Sequence, residues 1–201
     1  MNGVNSGWRD AARGVLMAAA LVPPWAAPAA AGAEAAIGEG PVREVRLGVA
    51  AHDRGPFTDR TEEGLDVRVE ALFASPGFLR WIGAPSPHLG VLAATGDGAT
   101  SYGYFGLTWR RRFLTDWYFE GGFGGAAHDG APLREDQQST AQRENQKPLG
   151  CRVLFRQNLS LGYRVTERIS VSLFTDHVSN ANLCDSNEGL DTFGAQIGYR
   201  F

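Results

Sequence analysis

Three residues near the end of the chain have types that could, if brought together, carry out acyl transfer: His177, Ser179 and Asp191. A hydroxyl becomes a nucleophile when an imidazole takes its proton, and a carboxylate on the far ring nitrogen orients that imidazole. His177 and Ser179 stand two apart in "HVSNAN". On a β-strand such residues share a face at roughly 6.5 Å. Asp191 opens the next alternating run, so an antiparallel neighbour would carry it towards His177 on the same face. Singly, each residue has an ordinary use: a serine ends a strand, a histidine anchors, and an aspartate after "NEGL" serves a turn. Together, on a face that is otherwise apolar, three polar groups are costly, and that cost points to function.

The elements that must position them are strands. After Ala33 the chain alternates apolar and polar residues with period two, and no long helical pattern interrupts it. The apolar sets are Val45, Leu47 and Val49; Leu65, Val67, Val69 and Phe73; Leu89, Val91 and Ala93; and Phe105, Leu107 and Trp109. They continue with Trp117, Phe119 and Phe123; Leu149, Val153, Phe155, Leu159, Leu161 and Tyr163; Ile169, Val171 and Leu173; and Phe193, Ala195, Ile197, Tyr199 and Phe201. Eight strands with one apolar and one polar face each predict a barrel. The polar faces carry charges and glycines in strand after strand, which suits a small lumen filled by paired side chains. The apolar faces carry aromatic residues near strand ends, where a membrane girdle would lie. The expected fold is therefore all-β, an eight-stranded antiparallel transmembrane barrel of the bacterial outer membrane. Arg68, Glu70, Glu120, Arg152 and Arg156 are expected in its lumen.

The N-terminus supports export. Arg9 and Arg13 precede "GVLMAAALV", and Ala31-Gly32-Ala33 precedes Glu34, the pattern of a secretory signal peptide over residues 1–33. Pro23, Pro24 and Pro28 break the apolar stretch before the roughly 20 residues that a spanning helix needs. The barrel should then occupy residues 34–201. A net charge of −3, with no basic block beyond Arg110-Arg111-Arg112, argues against nucleic acid as a partner. Short "FLT" and "TER" connections fit periplasmic turns, while "DRGPFTDRTEEG" and the polar stretch 129–148 fit extracellular loops. The connection 75–87 is long and apolar for a periplasmic turn. This topology puts Cys151 and Cys184 outside and one strand apart, in an oxidising compartment where a disulfide between them can persist.

The segment "HVSNANLCDSNEGLDTFGAQIGYRF" resembles the C-terminal part of outer-membrane lipid A 3-O-deacylases of the PagL type. Their pattern is His-x-Ser-Asn-Ala, then Asn-x-Gly, and an acid shortly before the final strand. The close match covers about the last 25 residues, and the strand layout extends it loosely over the rest. The resemblance implies an esterase that removes a 3-hydroxyacyl chain from lipid A without metal or cofactor. It implies Ser179 as nucleophile and His177 as general base. Asp191 stands where the family carries a glutamate, one methylene longer. Asn180 and Asn187 match the two asparagines, and either could donate to an oxyanion. The implied substrate lies in the outer leaflet of the outer membrane, which accounts for a site on the outside of the barrel.

Two other readings fit the same pattern. One is a non-enzymatic small barrel, an adhesin, structural or porin-like protein with an incidental His-x-Ser. The other is an outer-membrane phospholipase, although no acidic cluster at the motif suggests calcium. The glycines of "GGFGGAAHDG" lack the following helix that a phosphate loop requires.

Overall fold

In a computed structural model, which describes residues 40–130 and 146–201, the chain forms one closed antiparallel barrel. Its strands are β1 (Val42–Ala51), β2 (Leu65–Phe73), β3 (Ser86–Ala94), β4 (Tyr102–Arg112), β5 (Trp117–His128), β6 (Val153–Arg164), β7 (Ile169–Ser179) and β8 (Leu190–Arg200). Each strand pairs with its neighbours in sequence, and β8 closes on β1 with Leu47 opposite Ile197. The proposed leader, residues 1–33, and most of the 129–148 loop lie outside the described residues.

Period-two alternation decides which side of each strand faces where. The predicted apolar set forms the outer wall: Leu47, Val49, Leu65, Leu89, Phe105, Leu161, Leu173 and Ile197 are all exposed. An apolar band of this kind suits hydrocarbon, and closure leaves no strand edge unpaired within it. Near the end of the barrel opposite His177, Trp117 meets Tyr163 edge-on and Tyr199 meets Phe201. The awkward 75–87 connection contains a 3-10 helical turn, Gly77–Ile82, with Phe78 and Trp81 strongly exposed. The Trp109 indole N–H donates to the Ile82 carbonyl oxygen at 2.8 Å and ties this turn to the wall.

The lumen is packed with charge. Arg46 donates to Glu44, Glu70 and Glu120 at 2.6, 3.1 and 2.7 Å. Arg110 bonds Glu120 and Glu44 from the next layer, and Arg156 donates to Asp176 at 2.6 Å. Arg156 also stacks over the Tyr104 ring at 3.8 Å, and Arg68 over Phe174 at 4.3 Å. Buried ions are tolerated when each finds opposite charge and further hydrogen bonds, and these arginine forks supply both.

Two expectations fail at the start of β6. Arg152 is exposed rather than luminal, and Leu149 is buried, 1% exposed, rather than on the outer wall. The strand begins at Val153, so strand parity does not govern the residues before it. Gly150 takes a left-handed φ of 71°, turning the chain so that Leu149 inserts beside Leu92, Tyr102, Leu154, Val178 and Leu190.

Candidate active site

The ladder between β7 and β8 sets His177 directly opposite Asp191. Opposed residues on an antiparallel pair have Cβ atoms about 5 Å apart, close enough for a short acid to reach a ring. The His177 Nδ1 and Asp191 Oδ1 are 2.6 Å apart. Nδ1–H therefore donates to the carboxylate and leaves Nε2 free to accept a proton. The shorter acid still reaches the ring, because the register sets the two residues directly opposite each other. Ser179 lies two residues along β7 from His177, opposite Phe155 of β6, and is 9% exposed.

Asp191 points outward by parity yet is 0% exposed. The segment joining β1 to β2 covers it. The backbone N–H groups of Phe57 and Thr58 donate to Asp191 Oδ2 at 2.7 and 3.2 Å. The Arg54 N–H donates to the Asp191 carbonyl oxygen at 2.9 Å. Phe57 packs its ring edge-on to His177, with centroids 5.5 Å apart. No spacing within the sequence links residues 54–58 to residue 191. The only local sign was the Gly55-Pro56 pair marking a turn.

Beyond Ser179 the chain turns sharply. Ala181 and Asn182 both take left-handed φ values, 54° and 61°. Such a conformation is uncommon for alanine and costs about 1–2 kcal/mol, so its surroundings must hold it. Asn180 does much of this: its Nδ2 donates to the Leu149 and Ser186 carbonyl oxygens at 2.8 and 2.5 Å. Its backbone N–H donates to Asn187 Oδ1 at 2.9 Å. Cys151 and Cys184 are joined, with Cα atoms 6.0 Å apart, pinning the same loop to the base of β6. Both amide hydrogens of Asn180 are thus engaged. Asn187 Nδ2 spends one on Asn182 Oδ1 at 3.1 Å and has a second.

A second polar cluster caps this end of the barrel. His52 sits between Asp66 and Glu62, at 2.7 and 2.8 Å. Burial opposes its charge, but the hydrogen bonds to Asp66 and Glu62 outweigh burial and raise its pKa to about 9. Burial likewise pushes the Glu62 carboxyl upward, but the His52 bond and the N–H groups of Lys147 and Thr100 prevail and hold it below its ordinary range. Among the described residues, no group of His, Cys, Asp and Glu is arranged to hold a metal ion.

The class defined by fold and site is an eight-stranded outer-membrane barrel with a hydrogen-bonded His–Asp pair on its wall. A family model, lipid A 3-O-deacylase (PagL), matches residues 63–200, and the chain belongs to that family. Among solved structures, the outer membrane enzyme PagL is similar over 79% of this chain and 99% of its own, with a TM-score of 0.56 and 17% identity. The N-terminal β-barrel domain of Pseudomonas aeruginosa OprF is similar over 80% of this chain and 98% of its own, with a TM-score of 0.52 and 10% identity. At these identities the likeness is one of fold. A comparison with curated proteins finds no significant sequence match.

Proposed function

We propose that this protein hydrolyses the ester-linked 3-hydroxyacyl chain at position 3 of lipid A, with Ser179, His177 and Asp191 as its catalytic residues. The observation that carries this reading is the 2.6 Å bond from His177 to the buried Asp191, beside Ser179, in a chain of the PagL family. His177 Nε2 takes the Ser179 hydroxyl proton as Oγ forms a bond to the ester carbonyl carbon. The tetrahedral intermediate collapses by breaking the carbon–oxygen bond to the sugar, and His177 returns the proton to the departing sugar oxygen. A water molecule then gives its proton to the same nitrogen while its oxygen attacks the acyl-serine. Collapse of the second intermediate frees the 3-hydroxy fatty acid and restores the serine. Asp191 holds the ring in its tautomer and stabilises the imidazolium. Asn187, with an amide hydrogen to spare, is the better placed of the two asparagines to stabilise the oxyanion, while Asn180 braces the loop.

The loop lengths support a site facing the outer leaflet. Connections at the end away from His177 include the brief 113–116 and 165–168 turns, whereas the site end carries 52–64 and 129–152. Outer-membrane barrels keep short turns on the periplasmic side and long loops outside. The leader proposed for residues 1–33 would deliver the chain for assembly there.

The test is incubation of the refolded protein with lipid A, followed by mass spectrometry. Loss of one 3-hydroxy fatty acid is expected, and Ser179→Ala should prevent it. Lipid A left untouched both in detergent and in membranes would favour a non-enzymatic barrel, and full deacylation by Ser179→Ala would sink the serine assignment.

A further inference from the structure

The geometry points to residues 53–62, between β1 and β2, as a strap that positions the acid Asp191, with Asp53 and Lys147 as its anchor. This rests on the hydrolase reading above, which itself involves only β7, β8 and the loop between them.

Three observations converge. First, the strap supplies two backbone donors to the Asp191 oxygen that does not face His177: Phe57 N–H and Thr58 N–H, at 2.7 and 3.2 Å. A carboxylate held by two backbone donors on one oxygen has its other oxygen aimed, and here that oxygen meets Nδ1. The Phe57 ring closes one side of the imidazole as well. Second, the fit is close. A Cβ on Gly55 would collide with the Asp191 side chain, and its φ is not in the left-handed region, so glycine serves proximity here rather than backbone freedom. Third, the strap is anchored away from the site. Asp53 accepts from Thr61 N–H and Glu62 N–H at 2.6 and 3.0 Å, closing the strap on itself. Lys147, the chain's only lysine, is 1% exposed; its Nζ lies 2.8 Å from Asp53 Oδ1 and donates to the Asp59 carbonyl oxygen at 2.6 Å.

A lysine is seldom buried so fully without a partner that requires it. The mechanism uses neither Lys147 nor Asp53. Their placement makes sense as the fixed end of a segment whose other end must not drift from a carboxylate. Gly55, Phe57, Asp53 and Lys147 are accordingly positioning residues that act through Asp191.

Gly55→Ala and Lys147→Met test this in the full-length refolded barrel, checked for heat-modifiable gel mobility. With lipid A as substrate, each should lower kcat about tenfold or more and leave KM within about twofold. In an Asp191→Ala background neither should lower kcat further, because residues acting through one carboxylate do not add. A downfield proton NMR signal from His177 Nδ1–H, expected in the wild type and in Ser179→Ala, should be lost in both strap variants. Equal losses with and without Asp191, an unchanged kcat, or a retained Nδ1–H signal would each overturn the proposal. Should Gly55→Ala not assemble, Lys147→Met, whose change is remote from the carboxylate, decides by the same readouts. If the wild type leaves lipid A intact, the hydrolase reading falls, while the NMR comparison still tests the strap.

Discussion

His177 and Asp191 face each other across the β7–β8 ladder, and their side chains meet at 2.6 Å without either leaving its strand position. The pair is asymmetric: the imidazole is 21% exposed at its side chain and the carboxylate is 0% exposed. A reagent arriving from the membrane would therefore meet the ring, with the acid behind it.

That asymmetry separates the roles expected from substitution. Ser179→Ala and His177→Gln should each reduce lipid A deacylation by about a thousandfold or more, the scale on which a nucleophile or its base is lost. Neither residue belongs to the buried apolar cluster, so folded-barrel mobility on unheated gels should persist. Release of 3-hydroxy fatty acid, followed by mass spectrometry, supplies the rate.

At Asp191 two substitutions should behave differently from a simple restoration of the family acid. Asp191→Asn keeps the shape but gives up the charge that supports the imidazolium, and a loss on the order of a hundredfold or more in kcat is expected. Asp191→Glu keeps the charge and would be harmless if charge alone mattered. The strap is seated on the shorter side chain, with Gly55 already against it. The added methylene must displace residues 55–58, and an intermediate loss of about tenfold is expected from overpacking. Steady-state rates of the two variants beside wild type check both.

Removing the disulfide should act on the loop more than on the barrel. Cys151→Ala with Cys184→Ala opens a loop whose ends are 33 positions apart, worth roughly 2–4 kcal/mol to whatever unfolding the bridge restrains. The left-handed Ala181–Asn182 turn loses one of its tethers. Faster protease cleavage within 180–189 is expected, with a several-fold lower kcat. An unchanged cleavage pattern would show that the hydrogen bonds of Asn180 and Asn187 hold the loop without the bridge.

The cap at His52 makes stability pH-dependent, and the sign follows from the direction of its shift. Its folded pKa, about 9, lies above the unfolded value near 6.5. Its contribution is thus full below about pH 6.5 and is lost as pH rises through about 9. The difference corresponds to about 3 kcal/mol for this buried ring. Hydrogen exchange in residues 52–64 should speed up between pH 7 and 10 beyond its intrinsic rise, and His52→Gln should flatten that excess. An NMR titration of the His52 ring gives the midpoint directly.

The wall of this protein is legible from the order of its residues. Alternation is a property of neighbours two apart, so Leu47, Leu89, Leu161 and Ile197 could be assigned to the outer face, and Arg68, Glu70, Glu120 and Arg156 to the lumen, without knowing any long-range contact. The same local rule put His177 and Ser179 on one face, and the spacing to the last strand brought Asp191 beside them as a candidate partner. Where strand geometry stops, that rule stops too: Arg152 and Leu149 lie before β6 and took the opposite environments from those their parity predicted. Tertiary structure alone decided that Asp191 is covered, because the covering amides come from positions 57 and 58, far away in the chain. It also decided that the amide hydrogens of Asn180 are spent on the loop, and that Lys147 anchors residues 53–59. Periodicity encodes the direction in which a side chain leaves its strand. What that side chain then meets depends on how the loops close, and loop closure is set by contacts that no local pattern records.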